Sequence, residues 1–435
     1  MTATSAGPDT GRRAWTILAA AIVVQMASAP GQTVGVSVFV DELVEGLDLS
    51  RSAVSGAYLV GTMAGALAMP LAGRLIDRHG LRRAVLGFGI VFGAVLMAMS
   101  GLAGFATLLV GFGLTRMFGQ GALSLTSSTM VAVWFDRRRG TAMGLQAAIG
   151  GGAMALVPLL SAAVIATWGW RAAWVVLGVG VWVVLVPLGW FVVANPPRRA
   201  TVPTTVPDGA TTAPGVPTPE ATTPAEGGDD DWPVAAVLRH PAFWVVVGAA
   251  ALVGMTTTGL IFHQIDLLGT RGLTDVQAAA NFLPQTLAAA AGALLAGRVA
   301  DSVSARVLVP VGMLLLAAAP TMVGFVGPGW SAVSYGVVLG SAGGWMRAVE
   351  GTVLPRWYGL ARIGEIRGRV LAVGVGSTAV GPFLLSMAID LSGGYGLGLV
   401  AFAVLPLLVG VAALVVPLPA AGVAAPGRGE AVTSR

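Results

Sequence analysis

The chain has 435 residues, 55% of them hydrophobic and 10% charged, with 62 glycines, no cysteine and a formal net charge of +5. A soluble domain carries roughly a quarter of its residues as charges, so a water-facing globular protein is excluded. The missing cysteines exclude disulfides, thiolate metal sites and cysteine nucleophiles together. Three well-separated histidines, His79, His240 and His263, are too few and too scattered for a metal centre, and no cofactor is expected. No G-x-S-x-G, Walker A or dinucleotide fingerprint stands in a strand–helix context, so an enzyme is not expected.

In chain order, apolar runs long enough to cross a hydrocarbon core of about 30 Å as helices fall at 14–39, 52–75, 83–101, 104–134, 141–167, 171–194, 242–268, 276–297, 306–326, 330–357, 367–390 and 394–416. The fold class is therefore an all-α membrane protein of twelve transmembrane helices. Its many glycines let helix backbones approach closely in lipid, where apolar burial alone gives no preference for a neighbouring helix. The first run imitates a cleaved leader, with Arg12-Arg13 in front and the small residues Ala27-Ser28-Ala29 behind. Pro30 follows at once and hinders cleavage, so the run reads as span 1. It carries Gln25, Ser28 and Gln32 on one helical face, and Asp41 and Glu42 beyond it are expected in solvent.

Span 4 contains Arg116, followed at helical spacings by Gln120, Ser124 and Ser127. An ionisable group in hydrocarbon is expensive. Arg116 therefore reads either as a planar fork for a carboxylate substrate or as one member of a structural ion pair. Residues 198–232 are rich in Thr, Pro, Ala and Gly and end with Glu226 and Asp229-Asp230-Asp231. Such a segment cannot bury a core and is expected to be disordered. It separates an amino-terminal half, 1–197, from a carboxy-terminal half, 233–416, with a tail at 417–435. In span 7, Thr256, Gly259, His263 and Asp266 share a face. His263 titrates near neutral pH with Asp266 placed to orient it, or it is a hydrogen-bonded packing residue. Span 8 offers Asn281 and Gln285. Span 10 carries Arg347 and Glu350 at i and i+3, close enough to pair. They form either a static pair or one that substrate splits, leaving Glu350 to take a proton.

Twenty of the 25 arginines map to one membrane face, whereas Arg51, Arg171 and Arg271 map to the other; Arg116 and Arg347 lie within spans. The positive-inside rule makes the basic face cytoplasmic, with both termini and the linker on it, in a bacterial inner membrane. A nucleic-acid partner is not expected. The halves also repeat. Gly73-Arg74-Leu75-Ile76-Asp77 returns as Gly297-Arg298-Val299-Ala300-Asp301, Gly46-Leu47 as Gly272-Leu273, Trp134-Phe135 as Trp357-Tyr358, and Arg139-Gly140 as Arg367-Gly368. Such parallel repeats are typical of transporters with a midplane site between them.

The segment Gly73-Arg74-Leu75-Ile76-Asp77-Arg78-His79-Gly80-Leu81-Arg82-Arg83 closely resembles the G-x-x-x-D-R-x-G-R-R loop of the major facilitator superfamily. The resemblance implies two pseudo-symmetric six-helix bundles, with spans 1, 4, 7 and 10 lining a central cavity. It also implies a cytoplasmic latch built on Gly73, Asp77, Arg78, Gly80, Arg82 and Arg83, with Gly297 and Asp301 as its echo; the alternative is a plain topology anchor. Within the superfamily, Trp134 to Gly144 and His263 to Leu268 resemble the monocarboxylate and oxalate–formate branch. Two departures stand out: Asn281 and Gln285 replace that branch's basic residue, and the aspartate–glycine signature of span 1 is missing. Arg116-x-x-Gly119-Gln120-Gly121 resembles the span 4 motif of proton-driven carriers, while span 5 runs Gly150-Gly151-Gly152-Ala153 without the glycine–proline signature of drug antiporters. The expected activity is proton-coupled transport of a small organic anion, a monocarboxylate, by a monomer in lipid. The alternatives are proton-coupled efflux of a hydrophobic compound and a non-transporting membrane sensor.

Overall fold

The computed structural model describes residues 12–135, 139–194, 232–300, 302–358 and 363–419, which form helices joined by short turns, with no strand among the described residues. Twelve rods result. α1 runs from Arg12–Ala27 through three short pieces to residue 39, and a separate turn of helix, Val40–Gly46, follows on the face opposite the basic one. The continuous helix Arg51–Met99 is two antiparallel rods, α2 (51–79) and α3 (81–99), joined at Gly80. There φ is +79°, a conformation that glycine reaches without a Cβ clash, so the tight turn expected at Gly80 is present. α4 comprises Phe105–Thr115, Arg116–Leu123 and Ser124–Trp134. α5 (139–168) and α6 (170–192) meet at Gly169, φ +78°, which makes the same kind of turn on the other face.

A short helix, Val234–Arg239, leads into the second half. There α7 (Pro241–Phe262 and Gln264–Gly269), α8 (Asp275–Ala280 and Phe282–Ala300), α9 (Ala305–Met322), α10 (Trp330–Tyr358), α11 (Ile363–Ser392) and α12 (Gly396–Val415) follow. Seven stretches of the described residues are long and apolar enough to cross a bilayer unaided, and one of these, Thr141–Val192, holds both α5 and α6. Most boundaries lie within a few residues of the sequence-derived spans.

The breaks have local causes. Pro30 and Gly31 interrupt α1, because proline supplies no amide to the ladder and glycine holds it weakly. Pro284 withholds the amide that Ala280 would need, so α8 is interrupted at Asn281. In α4 the hydrogen bonds lengthen by one residue over Arg116–Leu123, which is π-helical. The α-helical spacing that aligned Arg116, Gln120 and Ser124 as one stripe therefore does not hold there.

The two halves join unequally along their length. One apolar core runs through the amino-terminal half and continues into Leu260, Phe262, Ile265, Leu268, Tyr335 and Phe402 of the carboxy-terminal half, all near the end opposite the basic face. At the basic end the carboxy-terminal half has its own core, built on Phe243, Leu316, Met346 and Tyr358. Contacts between halves follow the same division: Gly56 of α2 faces Phe383 of α11, and Gly151 of α5 faces Thr286 of α8. The described residues of the two halves thus share an apolar core at the far end, while the carboxy-terminal half keeps a core of its own at the basic end.

Candidate functional site

Closure at the far end is made by charge. Arg51, at the start of α2, places Nη1 2.7 Å from Asp41 Oδ1 and Nη2 3.3 Å from Asp266 Oδ1. Tyr395, between α11 and α12, donates its hydroxyl to Asp266 Oδ2. Asp41 and Arg51 belong to one half, Asp266 and Tyr395 to the other, so the Arg51–Asp266 contact is an ionic link across the interface. Arg51 keeps 16% of its side-chain surface, Asp41 32% and Asp266 30%. The Arg51–Asp41 approach is short but poorly aligned, leaving both atoms without a well-directed hydrogen bond. It is held mainly by charge.

Two sequence expectations change here. Asp41 is not a solvated carboxylate, because the second half covers it; Glu42 beside it makes no ion pair among the described residues. Asp266 does not orient His263. It turns to Arg51 and Tyr395, while His263, 1% exposed, bonds through Nε2 to the Pro382 carbonyl at 3.1 Å and to Ser386 Oγ at 3.0 Å in α11. A carbonyl can only accept, so Nε2 carries the proton and the buried Nδ1 is the bare lone pair. His263 thus pins α7 to α11 within one half.

Beneath the charged layer lies an aromatic one. Tyr58 of α2 packs on Phe262 of α7 with ring centroids 4.6 Å apart, and its hydroxyl meets Thr33 Oγ1 at 2.6 Å. Tyr58 also receives Arg116, whose guanidinium carbon lies 4.7 Å from the ring centroid. Arg116 is 2% exposed. It donates from Nε to Thr62 Oγ1 at 3.1 Å and from Nη1 to the Gly31 carbonyl at 3.0 Å. That carbonyl is available because the α1 ladder is interrupted there. No carboxylate meets Arg116 in this conformation, contrary to the expectation of an anionic partner. Two neutral oxygens and a ring face hold it instead, which a delocalised, weakly hydrated guanidinium allows, while its buried Nη2 has no hydrogen-bond partner among the described residues.

Polar residues of α1 and α4 nevertheless come together. Gln32 donates to Ser124 Oγ at 2.9 Å, and Ser127 donates to the Ala21 carbonyl at 2.6 Å. Gln120, on the π turn, is half-buried. Gln285 of α8 donates to Gln264 of α7, which in turn donates to the Ala278 carbonyl at 2.9 Å.

Arg347 lies on the face of α10 between Gly343, which abuts Thr257 of α7, and Gly344, which abuts the α8 backbone at Ala289, and Glu350 lies one turn on, at the Gly343 edge of that face. Arg347 is exposed and Glu350 half-buried. Each stands within the other's field, yet they form no ion pair within contact distance, so the expected static pair is absent. At the basic end, Asp77 is exposed and makes no ion pair among the described residues. Arg78, Arg82 and Arg83 are exposed too; Arg82 donates to the Trp190 carbonyl at 3.0 Å and lies over the Trp190 ring. Gly73 and Gly297 are half-buried, and Asp301 lies outside the described residues. An apolar groove of about 240 Å³ runs outside the central region, between Val23, Met26 and Pro30 of α1, Leu160 of α5 and Leu177 and Val184 of α6. None of the candidate residues borders it.

Sequence reasoning missed Arg51, Tyr395, Tyr58 and Phe262. The one available signal was that Arg51 maps to the same membrane face as Asp41 and Asp266, with the opposite charge.

Comparison with known proteins adds three findings. The chain is similar to the Probable L-galactonate transporter of Escherichia coli (strain K12), 29% identical over 149 residues, which is 34% of this chain and 32% of that protein. The match therefore spans about a third of the relative's length. In structure it is similar to a bacterial homologue of the human lysosomal transporter Spinster. The inward-facing unoccupied form gives a TM-score of 0.65 at 18% identity, covering 93% of this chain and 95% of that one. The inward-facing occupied form gives 0.62 at 18% identity, covering 92% and 93%. A family model for the Major Facilitator Superfamily matches residues 15–287, more than half of the chain. With twelve helices in two repeated halves and the Gly73–Arg83 turn in place, the chain belongs to the Major Facilitator Superfamily, whose members are membrane transporters and not enzymes.

Proposed function

We propose that the protein is a secondary active transporter that moves a small organic anion, a monocarboxylate, across the bacterial inner membrane in exchange or symport with protons. The observation that carries the anion reading is Arg347: a permanent cation on the α10 face between α7 and α8, exposed, with no carboxylate in contact. A planar guanidinium in that setting suits bidentate recognition of a carboxylate. The relationship to a probable carrier of galactonate, itself a carboxylate, supports the same class. With the basic face taken as cytoplasmic, the conformation is closed to the outside and parted to the inside, one end state of alternating access. Glu350 is the proposed proton carrier. A carboxylate substrate that engages Arg347 removes the nearest positive field from Glu350 and raises its proton affinity. Arg116 is proposed as the structural cation that holds α1, α2 and α4 together.

The deciding experiment is uptake of a panel of labelled carboxylates into proteoliposomes under an imposed proton gradient. Arg347→Gln is expected to lower the uptake of the active carboxylate at least about tenfold, the loss of about 1.4 kcal/mol of charge-assisted binding. Glu350→Gln is expected to abolish accumulation while sparing exchange. Uptake unchanged in Arg347→Gln would overturn the anion site.

A second reading, proton-coupled efflux of a hydrophobic compound, is favoured by the apolar groove beside the α1 break. Thermal stabilisation separates the two: carboxylates raise the melting temperature under the first reading, lipophilic cations under the second.

A further inference from the structure

The outer ion cluster holds two carboxylates and one guanidinium. Asp41 and Arg51 face each other within the amino-terminal half, and Asp266 reaches Arg51 from the carboxy-terminal half. When the halves part at this end, Arg51 keeps Asp41 and loses Asp266. When they close, the two carboxylates compete for one cation while each keeps only about a third of its side-chain exposure. The surroundings add negative charge: Asp275, in the first turn of α8, acts on Asp41, and so does Asp266; Arg51 is the opposing cation, and Glu42 neighbours Asp41 on its own helix. The closed cluster carries a net charge of −1 with no second cation against it among the described residues.

We propose that Asp41 takes up a proton from the outside as the outer gate closes, so that external acid stabilises the outward-closed state. The geometry selects Asp41 over Asp266. Both Asp266 oxygens are engaged by donors, Oδ1 by Arg51 and Oδ2 by the Tyr395 hydroxyl, and donors favour the charged form. Asp41 has Arg51 alone, with no second donor like the Tyr395 hydroxyl. The sign follows from linkage. Burial pushes the closed-state Asp41 carboxyl up to about 6, with Arg51 opposing and Asp266 adding to the rise. In the open state Asp41 lies in water beside Arg51, at or below the ordinary value of about 3.9. The closed state therefore binds the proton more tightly, and its advantage grows as pH falls from about 6 to about 4 and is lost as pH rises through about 6. This rests on the alternating-access reading above only in requiring that the outer gate opens.

The chain has no cysteine, so a spin-label pair at Ala103→Cys and Pro328→Cys, exposed outer positions in opposite halves, reports the gate directly by pulsed distance measurement on the full-length protein. The ratio of short to long distance is expected to be flat above pH about 6 and to rise by up to about tenfold per pH unit below it. Asp41→Asn is expected to show the acid-like ratio at every pH, whereas Glu42→Gln keeps the wild-type titration. If Asp41→Asn does not assemble, the wild-type series still decides by its direction. A flat wild-type series, a rise in the long distance on acidification, or a wild-type response retained in Asp41→Asn would each overturn the proposal. Uptake that proceeds with a non-titrating gate removes this proposal alone; a titrating gate with no uptake of any solute removes the transport reading alone.

Discussion

Arg116 shows how the same residue type in a membrane span can do two different jobs. Its Nε and Nη1 bonds run to Thr62 and the Gly31 carbonyl, and its plane lies on Tyr58. All three partners come from α1 and α2, so the guanidinium fixes the interrupted part of α1 against its neighbours. Lysine keeps the charge but cannot supply the fork or the stacking plane. Arg116→Lys is therefore expected to lose about 2 kcal/mol, roughly two hydrogen bonds at about 1 kcal/mol each. That loss should read as a lower melting temperature of the purified protein. Substrate affinity of the assembled variant is expected to stay within about threefold of wild type, a change of about 0.7 kcal/mol. A larger affinity loss at unchanged melting temperature would return Arg116 to the substrate. Arg347 differs in the one respect that matters, its exposure.

At the scale of elements, glycine decides how closely the helices approach. A methyl on Gly344 would overlap the Ala289 backbone of α8, and one on Gly340 would overlap the Gln285 backbone. These are backbone contacts, which cannot swing away as a side chain does. Gly344→Ala is expected to force α8 and α10 apart and cost about 3 kcal/mol, seen as sharply reduced yield of monodisperse protein. Gly297, on the same helix as Ala289 and part of the repeated motif, has open space where its Cβ would stand. Gly297→Ala should assemble at wild-type yield. The paired measurement separates packing from motif membership: a fold-breaking Gly297→Ala would show that its role lies in another conformation. The π turn in α4 is an element the sequence pattern does not reveal, since its residues read equally well with α spacing.

Among the described residues the halves are held together at one end by Arg51–Asp266 and Tyr58–Phe262, while at the other end Asp77 stands exposed. Interactions seen in this conformation and those reserved for the opposite one should respond oppositely to mutation. Arg51→Gln removes the ionic link between halves and is expected to shift the population toward the outward-open state. Asp77→Asn touches nothing engaged here. It should leave the melting temperature within about 0.5 kcal/mol equivalent of wild type while transport falls strongly, because the outward-open state lacks its latch. Distance measurements across the outer rim test the first, and transport beside thermal unfolding tests the second. Wild-type transport by Asp77→Asn would reduce the basic loop to a topology anchor.

The number of spans, the repeat of the halves, the basic face and the Gly80 turn were all legible in the sequence. Each depends on local composition or on spacing within a few residues: an apolar run of membrane length, a cluster of arginines, or a glycine where the chain must reverse. The partners of Arg116 and Asp266 were not legible. A helical face says which residues point the same way, but not what stands opposite, because that depends on how each rod is rotated and how the halves meet. His263 and Asp266 share a face by spacing, yet the helix is interrupted at His263 and they turn to different neighbours. Asp41 read as solvated because the covering half comes from far along the chain. Tertiary structure alone brought Arg51 between Asp41 and Asp266, since only the meeting of the two halves brings Asp266 to the Arg51–Asp41 pair.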